Sequence, residues 1–109
     1  MDTKQIKQRE VKNKISDFVS HLKRQYGLSV DSVYLFGSYA RGREREDSDI
    51  DICIISPLFD KEDALSYLWT RRRILDIQNL IAPVGFSPED FRENYSPLIK
   101  EIKTYGVKI

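Results

Sequence analysis

The chain has 109 residues, enough for one domain around one core that buries roughly 65% of the surface exposed by the unfolded chain. Eighteen basic and seventeen acidic side chains leave a formal charge of +1, which excludes a global field selecting nucleic acid or an anionic membrane as partner. No apolar run approaches the ~20 residues of a bilayer span, and the polar segment Met1–Lys14 does not read as a signal peptide, so a soluble cytoplasmic protein is expected, with residues 1–109 forming a single domain.

Val11, Ile15, Phe18, Val19 and Leu22 recur at helical spacing and Gly27 follows, which predicts an amphipathic helix closed by a left-handed glycine. His21 falls on its charged face, with no second ligand at metal-binding spacing. Val30 and Val33–Phe36 form a β-branched and aromatic run that stops at Gly37-Ser38, the pattern of a buried strand entering a tight turn. Tyr39–Asp47 is charged and contains Gly42; a short helix followed by a loop is expected there. Ile50–Ile55 is an apolar strand interrupted only by Asp51, and Cys53 within it reads as a packed structural thiol in a reducing compartment.

Pro57 ends that strand. Asp60 and Asp63 supply an N-cap and acidic first turn for a helix carrying Ala64, Leu65, Leu68, Trp69 and Arg72 through Leu75. Arg71-Arg72-Arg73 point in different directions on such a helix and read as a solvated face with one stem packed inward. Leu80–Phe86 is a third strand, placed by Pro83 at a sheet edge or bulge. Ser87-Pro88 and Ser96-Pro97 each open a helix, the last ending near Gly106, and Val107–Ile109 adds a terminal strand. The alternation predicts an α/β (α+β) fold, a small mixed β-sheet covered by helices.

The segment LFGSYARGREREDSDIDICII joins two features that mean little apart. A strand that ends in Gly37-Ser38 and turns into a helix offers backbone N–H groups, a hydroxyl and the positive end of a helix dipole to a phosphate. In isolation a Gly-Ser turn is only a turn. Asp49 and Asp51 stand two residues apart on a strand, about 6.5 Å along the chain and on one face, with Ile50 pointing into the core. Two carboxylates so placed suit one magnesium with phosphate completing its shell, whereas an isolated Asp-x-Asp reads as an exposed pair. The apolar residues Ile52–Ile55 make this strand central and put the acids at the rim of a cleft.

Gly37-Ser38, ten residues, then Asp49-x-Asp51 in an apolar strand resembles the signature of the polymerase-beta-like nucleotidyltransferase superfamily, and GSYARG…SDIDICII is particularly similar to its minimal nucleotidyltransferase (MNT) domains, the antitoxins of HEPN/MNT pairs. The resemblance implies that Gly37-Ser38 holds the triphosphate of ATP and that Asp49 and Asp51 bind Mg2+ and carry catalysis. Arg41, Gly42 and Ser48 would join the pocket, Arg41 as a phosphate contact and Ser48 as a loop cap; for Arg41 the alternative is a solvated residue. The implied reaction is transfer of a nucleotidyl group, AMP from ATP, to a hydroxyl acceptor such as a tyrosine of a helical HEPN-type partner, in a homo- or hetero-oligomer. Tyr39 is placed to stack on a base or to pack in the core.

The family's third carboxylate falls at Ala82, on a strand that contains no acid. Asp76, Glu89 or Asp90 would substitute only in another register, and Glu89 and Asp90 already serve as first-turn helix acids. The alternative is therefore a catalytically weak or inactive antitoxin or binding module that works by contact with a helical partner.

Overall fold

The computed structural model describes residues 3–109, with side chains from Lys7 onward; Met1 and Asp2, the start of the polar segment noted above, lie outside the described residues. Helix α1 spans Thr3–Tyr26 and turns Val11, Ile15, Phe18, Val19 and Leu22 inward. It stops because Gly27 takes φ +65°, and the chain is closed by the Gly27 N–H on the Lys23 carbonyl at 3.1 Å and the Leu28 N–H on the Leu22 carbonyl at 3.3 Å, a left-handed C-cap.

Four strands follow: β1 (Ser32–Phe36), β2 (Ile50–Ile55), β3 (Ile81–Phe86) and β4 (Val107–Lys108), in the spatial order β3-β2-β1-β4. β2 runs antiparallel to β1 and parallel to β3, while β4 pairs antiparallel with the far side of β1. The sheet is thus mixed, β2 is central, and Pro83 lies in the edge strand β3, where its missing N–H costs no internal ladder bond.

Strand alternation sorts the core into two faces. Val33, Leu35, Ile50, Ile52, Ile54 and Ile81 share one cluster with the α1 residues and with Phe59, Tyr67 and Leu68. On the opposite face Phe36, Cys53 and Ile55 pack with Ile102 of α5 (Pro97–Tyr105) and with the half-buried Tyr34, Val84, Phe86 and Phe91. Cys53 is fully buried, which pushes its thiol pKa up to about 12 and makes it a packing residue. Ser87 caps α4 (Pro88–Glu93) and Ser96 caps α5, each hydroxyl accepting the N–H three residues on.

Three local expectations are corrected. Residues 39–47 form no helix: one turn closes over Gly37–Gly42, where Gly42 at φ +67° ends it before a second can form. Asp60 does not cap the next helix, because Ser56 starts a separate 3-10 turn at Pro57–Asp60; Asp63 alone caps α2 (Ala64–Thr70), taking the Ser66 N–H at 3.3 Å. The helix also does not run on through Leu75. It breaks at Arg71–Arg73, and α3 (Ile74–Gln78) begins anew.

That break follows from one buried carboxylate. Asp76 is 1% exposed, and it accepts the Arg73 backbone N–H at 2.8 Å and the Arg73 guanidinium through Nε and Nη2, both at 2.9 Å. Arg73 also reaches Asp17 of α1 at 2.6 Å, so its bond to Asp76, with Asp17 adding to it, holds the guanidinium protonated even more firmly than usual. Satisfying Asp76 requires an extended Arg73, at φ −76° and ψ 166°, which an unbroken helix forbids. Among the described residues no helix is long and apolar enough to cross a membrane.

Candidate active site

β1 delivers the chain to Gly37, which takes φ +73°, a conformation that disfavours any side chain. A β-carbon there would also collide with the Asp51 carboxylate, whose Cγ would lie 3.0 Å away. The space left open by the glycine is thus occupied by the second acid of the pair. The register that brings them together pairs Phe36 with Asp51.

Past the turn, the Arg43 N–H donates to the Ser38 carbonyl at 2.8 Å, and the Arg41 N–H is shared between the Gly37 and Ser38 carbonyls at 3.2 Å each. Because only one turn forms, the cradle has no helix dipole behind it; its polarity resides in the turn's own N–H groups and the half-buried Ser38. Ser48 acts as a cap, its hydroxyl accepting the Arg45 N–H at 2.7 Å and its own N–H returning to the Arg45 carbonyl at 3.1 Å. This closed loop delivers Asp49, exposed and immediately before β2, next to Ile50, which is buried.

Asp51 is half-buried on the face that α5 covers. Burial, then the charge of Asp49, then that of Glu101 raise its pKa from 3.8 to about 6. Glu101, on α5 beside the buried Ile102, is the residue that sequence reasoning missed. Nothing in the local pattern signals it, since only the docking of α5 over β1 brings its charge to the acid pair. One turn later on α5, the Tyr105 ring lies 4.3 Å beneath the Arg41 guanidinium, so Arg41 is pinned over an aromatic face although it is exposed.

The donor chemistry fits a hard divalent cation. Among the described residues neither Asp49 nor Asp51 pairs with a protein cation, so two like charges meet at the rim without compensation. Also among the described residues, no group of three or more His, Cys, Asp and Glu side chains is placed to hold a metal ion. An ion here would take its remaining ligands from phosphate oxygens and water.

The parallel register sets Ala82 opposite Asp51, as expected, and thus no acid stands there. Asp76 is not a substitute, because it is buried and held by Arg73, which also donates to Asp17 of α1. Glu89 and Asp90 are exposed in the first turn of α4, where their charges suit the helix dipole. Tyr39 packs against the α1-side core and lines, with Val11, Leu35 and Glu44, a cavity of about 220 Å³ behind the turn; burial and the Glu44 charge raise its pKa. Its packing reading is the one that the geometry favours. His21 meets the edge of Tyr26 at 5.7 Å between ring centroids.

The family model described as "Nucleotidyltransferase domain" matches residues 12–109. A Methanocaldococcus jannaschii protein provisionally named protein adenylyltransferase MJ1305 is 32% identical over 102 residues, 89% of this chain and 69% of that protein. A second from the same organism, MJ0604, provisionally given the same activity, is 51% identical over 41 residues, which are 38% of this chain and only 41% of that relative's length. Among solved structures, a nucleotidyltransferase, so named provisionally, from Sulfolobus solfataricus superposes with a TM-score of 0.66 at 18% identity, over 99% of this chain and 87% of that one. A toxin-antitoxin structure with AMP-PNP superposes with a TM-score of 0.55 at 22% identity, over 88% of this chain and 69% of that one. At these identities the two structures establish the fold.

Proposed function

The chain belongs to the nucleotidyltransferase domain family, and from that premise we propose that residues 1–109 act as a single minimal domain that transfers AMP from ATP, with Mg2+, to a hydroxyl acceptor. The observation that supports this reading is the seating of the Asp51 carboxylate against Gly37, so that in this proposal one triphosphate and its metal span the turn and the acids. The adenylyltransferase names of the relatives support AMP as the transferred group.

In this reading Gly37 and Ser38 cradle the phosphates through backbone N–H groups and the hydroxyl, and Asp49 and Asp51 hold the metal. Arg41 lies beside the turn as a phosphate contact, while Ser48 keeps the loop shaped so that Asp49 faces the cleft. Magnesium, when bound, neutralises charge gathering on the phosphate oxygens. The acceptor oxygen forms a bond to the α-phosphorus as the bond from that phosphorus to the bridging oxygen breaks. The electron pair leaves with pyrophosphate, and the hydroxyl proton passes to a carboxylate or to water.

The acceptor in this proposal is a tyrosine of a separate helical chain of the HEPN type, with this chain as its cytoplasmic antitoxin. A solved neighbour that is a toxin-antitoxin structure with AMP-PNP supports both the nucleotide and the partner. A second reading, neutralisation of that partner by contact alone, is favoured by Ala82 opposite Asp51, since loss of one acid can cost orders of magnitude in rate while sparing the fold.

Incubation with α-labelled ATP, Mg2+ and the protein encoded by the adjacent gene separates the two. Transfer predicts a labelled partner with wild type and at least ~100-fold less label with Asp49→Ala or Asp51→Ala. An unlabelled partner that is nonetheless bound and neutralised would establish the contact reading.

A further inference from the structure

Helix α3 is amphipathic in reverse. It buries Asp76 at 1% exposure and leaves Ile74 75%, Leu75 48% and Ile77 49% exposed. At 100° per residue Ile74 lies nearly opposite Asp76, with Leu75 and Ile77 on either flank, so the outer surface of this helix is aliphatic except for the exposed Gln78 beside Ile74. Leu80, just beyond its end, is also 37% exposed, and Trp69 on the preceding helix α2 is 40% exposed. Folding gains nothing from aliphatics held in water, whereas a helix with its charge inside and its apolar side outside is complete only under a cover.

The charges at its rim indicate the cover. The Arg72 guanidinium lies 3.8 Å from the centre of the Trp69 ring, and that of Arg71 lies 3.8 Å from the Tyr67 ring and 4.9 Å from the Tyr26 ring of α1. Both donate to carbonyl oxygens, and among the described residues neither meets a carboxylate, in contrast to Arg73 beside them. The Arg71 Nε is buried without an acceptor. The Arg72 guanidinium, pre-oriented on a ring next to α3, is complementary to a carboxylate flanking an apolar stripe. A second copy meeting the first through this same surface would set arginines against arginines, because the only acid between residues 64 and 80 is Asp76, already inside and paired.

We infer that the outer side of α3, rimmed by Arg72 on Trp69, is where a separate chain docks an amphipathic helix bearing carboxylates beside its apolar stripe. This rests on the reading above that the chain works with a helical partner, and it assigns the surface. The site of transfer lies elsewhere, on the α5-covered face of the sheet, so partner docking and nucleotide binding use different surfaces.

The test takes the full chain with the adjacent-gene protein and measures their Kd by titration calorimetry, with hydrogen exchange as a second readout. Ile74→Asp and Ile77→Asp are expected to weaken binding at least ~30-fold and Arg72→Glu about tenfold, with wild-type binding weakened by salt and the Arg72→Glu complex less so. Protection on binding should concentrate in residues 64–80, and MgATP affinity of the isolated variants should stay unchanged. A complex indifferent to all three substitutions would overturn the surface and leave the partner reading standing. Absence of any wild-type complex would sink the partner reading and this assignment with it. A wild-type chain that self-associates and becomes monomeric with Ile74→Asp would make a second copy the occupant and overturn the inference.

Discussion

Helices α1 and α3 obey opposite rules within one fold. α1 turns five apolar residues into the core and its charges into water, so its place was evident from spacing alone. α3 turns a carboxylate inward and three aliphatics outward, and read for periodicity it merges with α2 as one conventional helix. The first is stabilised by the hydrophobic effect. The second is stabilised by a buried ion pair with its hydrogen bonds, and a buried pair of this kind fixes one geometry more than it adds stability. Hydrophobic periodicity therefore identifies elements that serve the core and misleads where an element serves a surface.

The contrast can be broken from the core side first. Phe18→Ala empties a fully buried site and should cost about 3–5 kcal/mol in chemical denaturation. Asp76→Ala should cost less, about 2–3 kcal/mol, because the stranded Arg73 is partly exposed and keeps Asp17. Its hydrogen exchange should also quicken at residues 73–78, while residues 11–22 remain protected. A larger loss for Asp76→Ala than for Phe18→Ala would reverse the ranking on which the comparison stands.

Most of the frame was legible in the sequence because its signals are local. Gly27, Asp63, Ser87 and Ser96 are end signals whose partners lie within a few residues, and the Asp51–Ala82 alignment follows from two strands of simple pattern. The Gly37–Asp51 contact was legible in outline, as a turn and an acid pair expected to converge. What escaped was set by distant contacts. The break at Arg73 depends on its pairing with the buried Asp76 and with Asp17 of the distant α1, and Glu101 joins the acid pair only through the docking of α5. The helix expected after Ser38 failed for a local reason, since Gly42 closes the turn early.

Asp51 gives a smaller effect with a definite sign. Its folded-state pKa of about 6 lies above the ordinary 3.8, so the unfolded chain releases this proton first as pH rises. In metal-free protein the stability contributed by this site is therefore lost between those two values and stays lost at neutral pH. Asp51→Asn should raise metal-free stability at neutral pH by about 1 kcal/mol after allowance for solvent screening, a gain that disappears in acid below the unfolded value. Equal thermal melting of the two proteins across that range would remove the electrostatic account of the acid pair. The smallest effect belongs to the outer side of α3: Ile74→Asp should change the stability of the isolated chain by no more than about 0.5 kcal/mol. Thermal melts of the isolated chain check this, and a large loss would mean that Ile74 serves the core after all.

The contact between Gly37 and the Asp51 carboxylate also constrains how this site can decay over generations. A methyl group at position 37 would press on the Asp51 carboxylate as well as strain the left-handed turn, so a chain that had already lost the acid would accept the larger residue more readily than one that kept it.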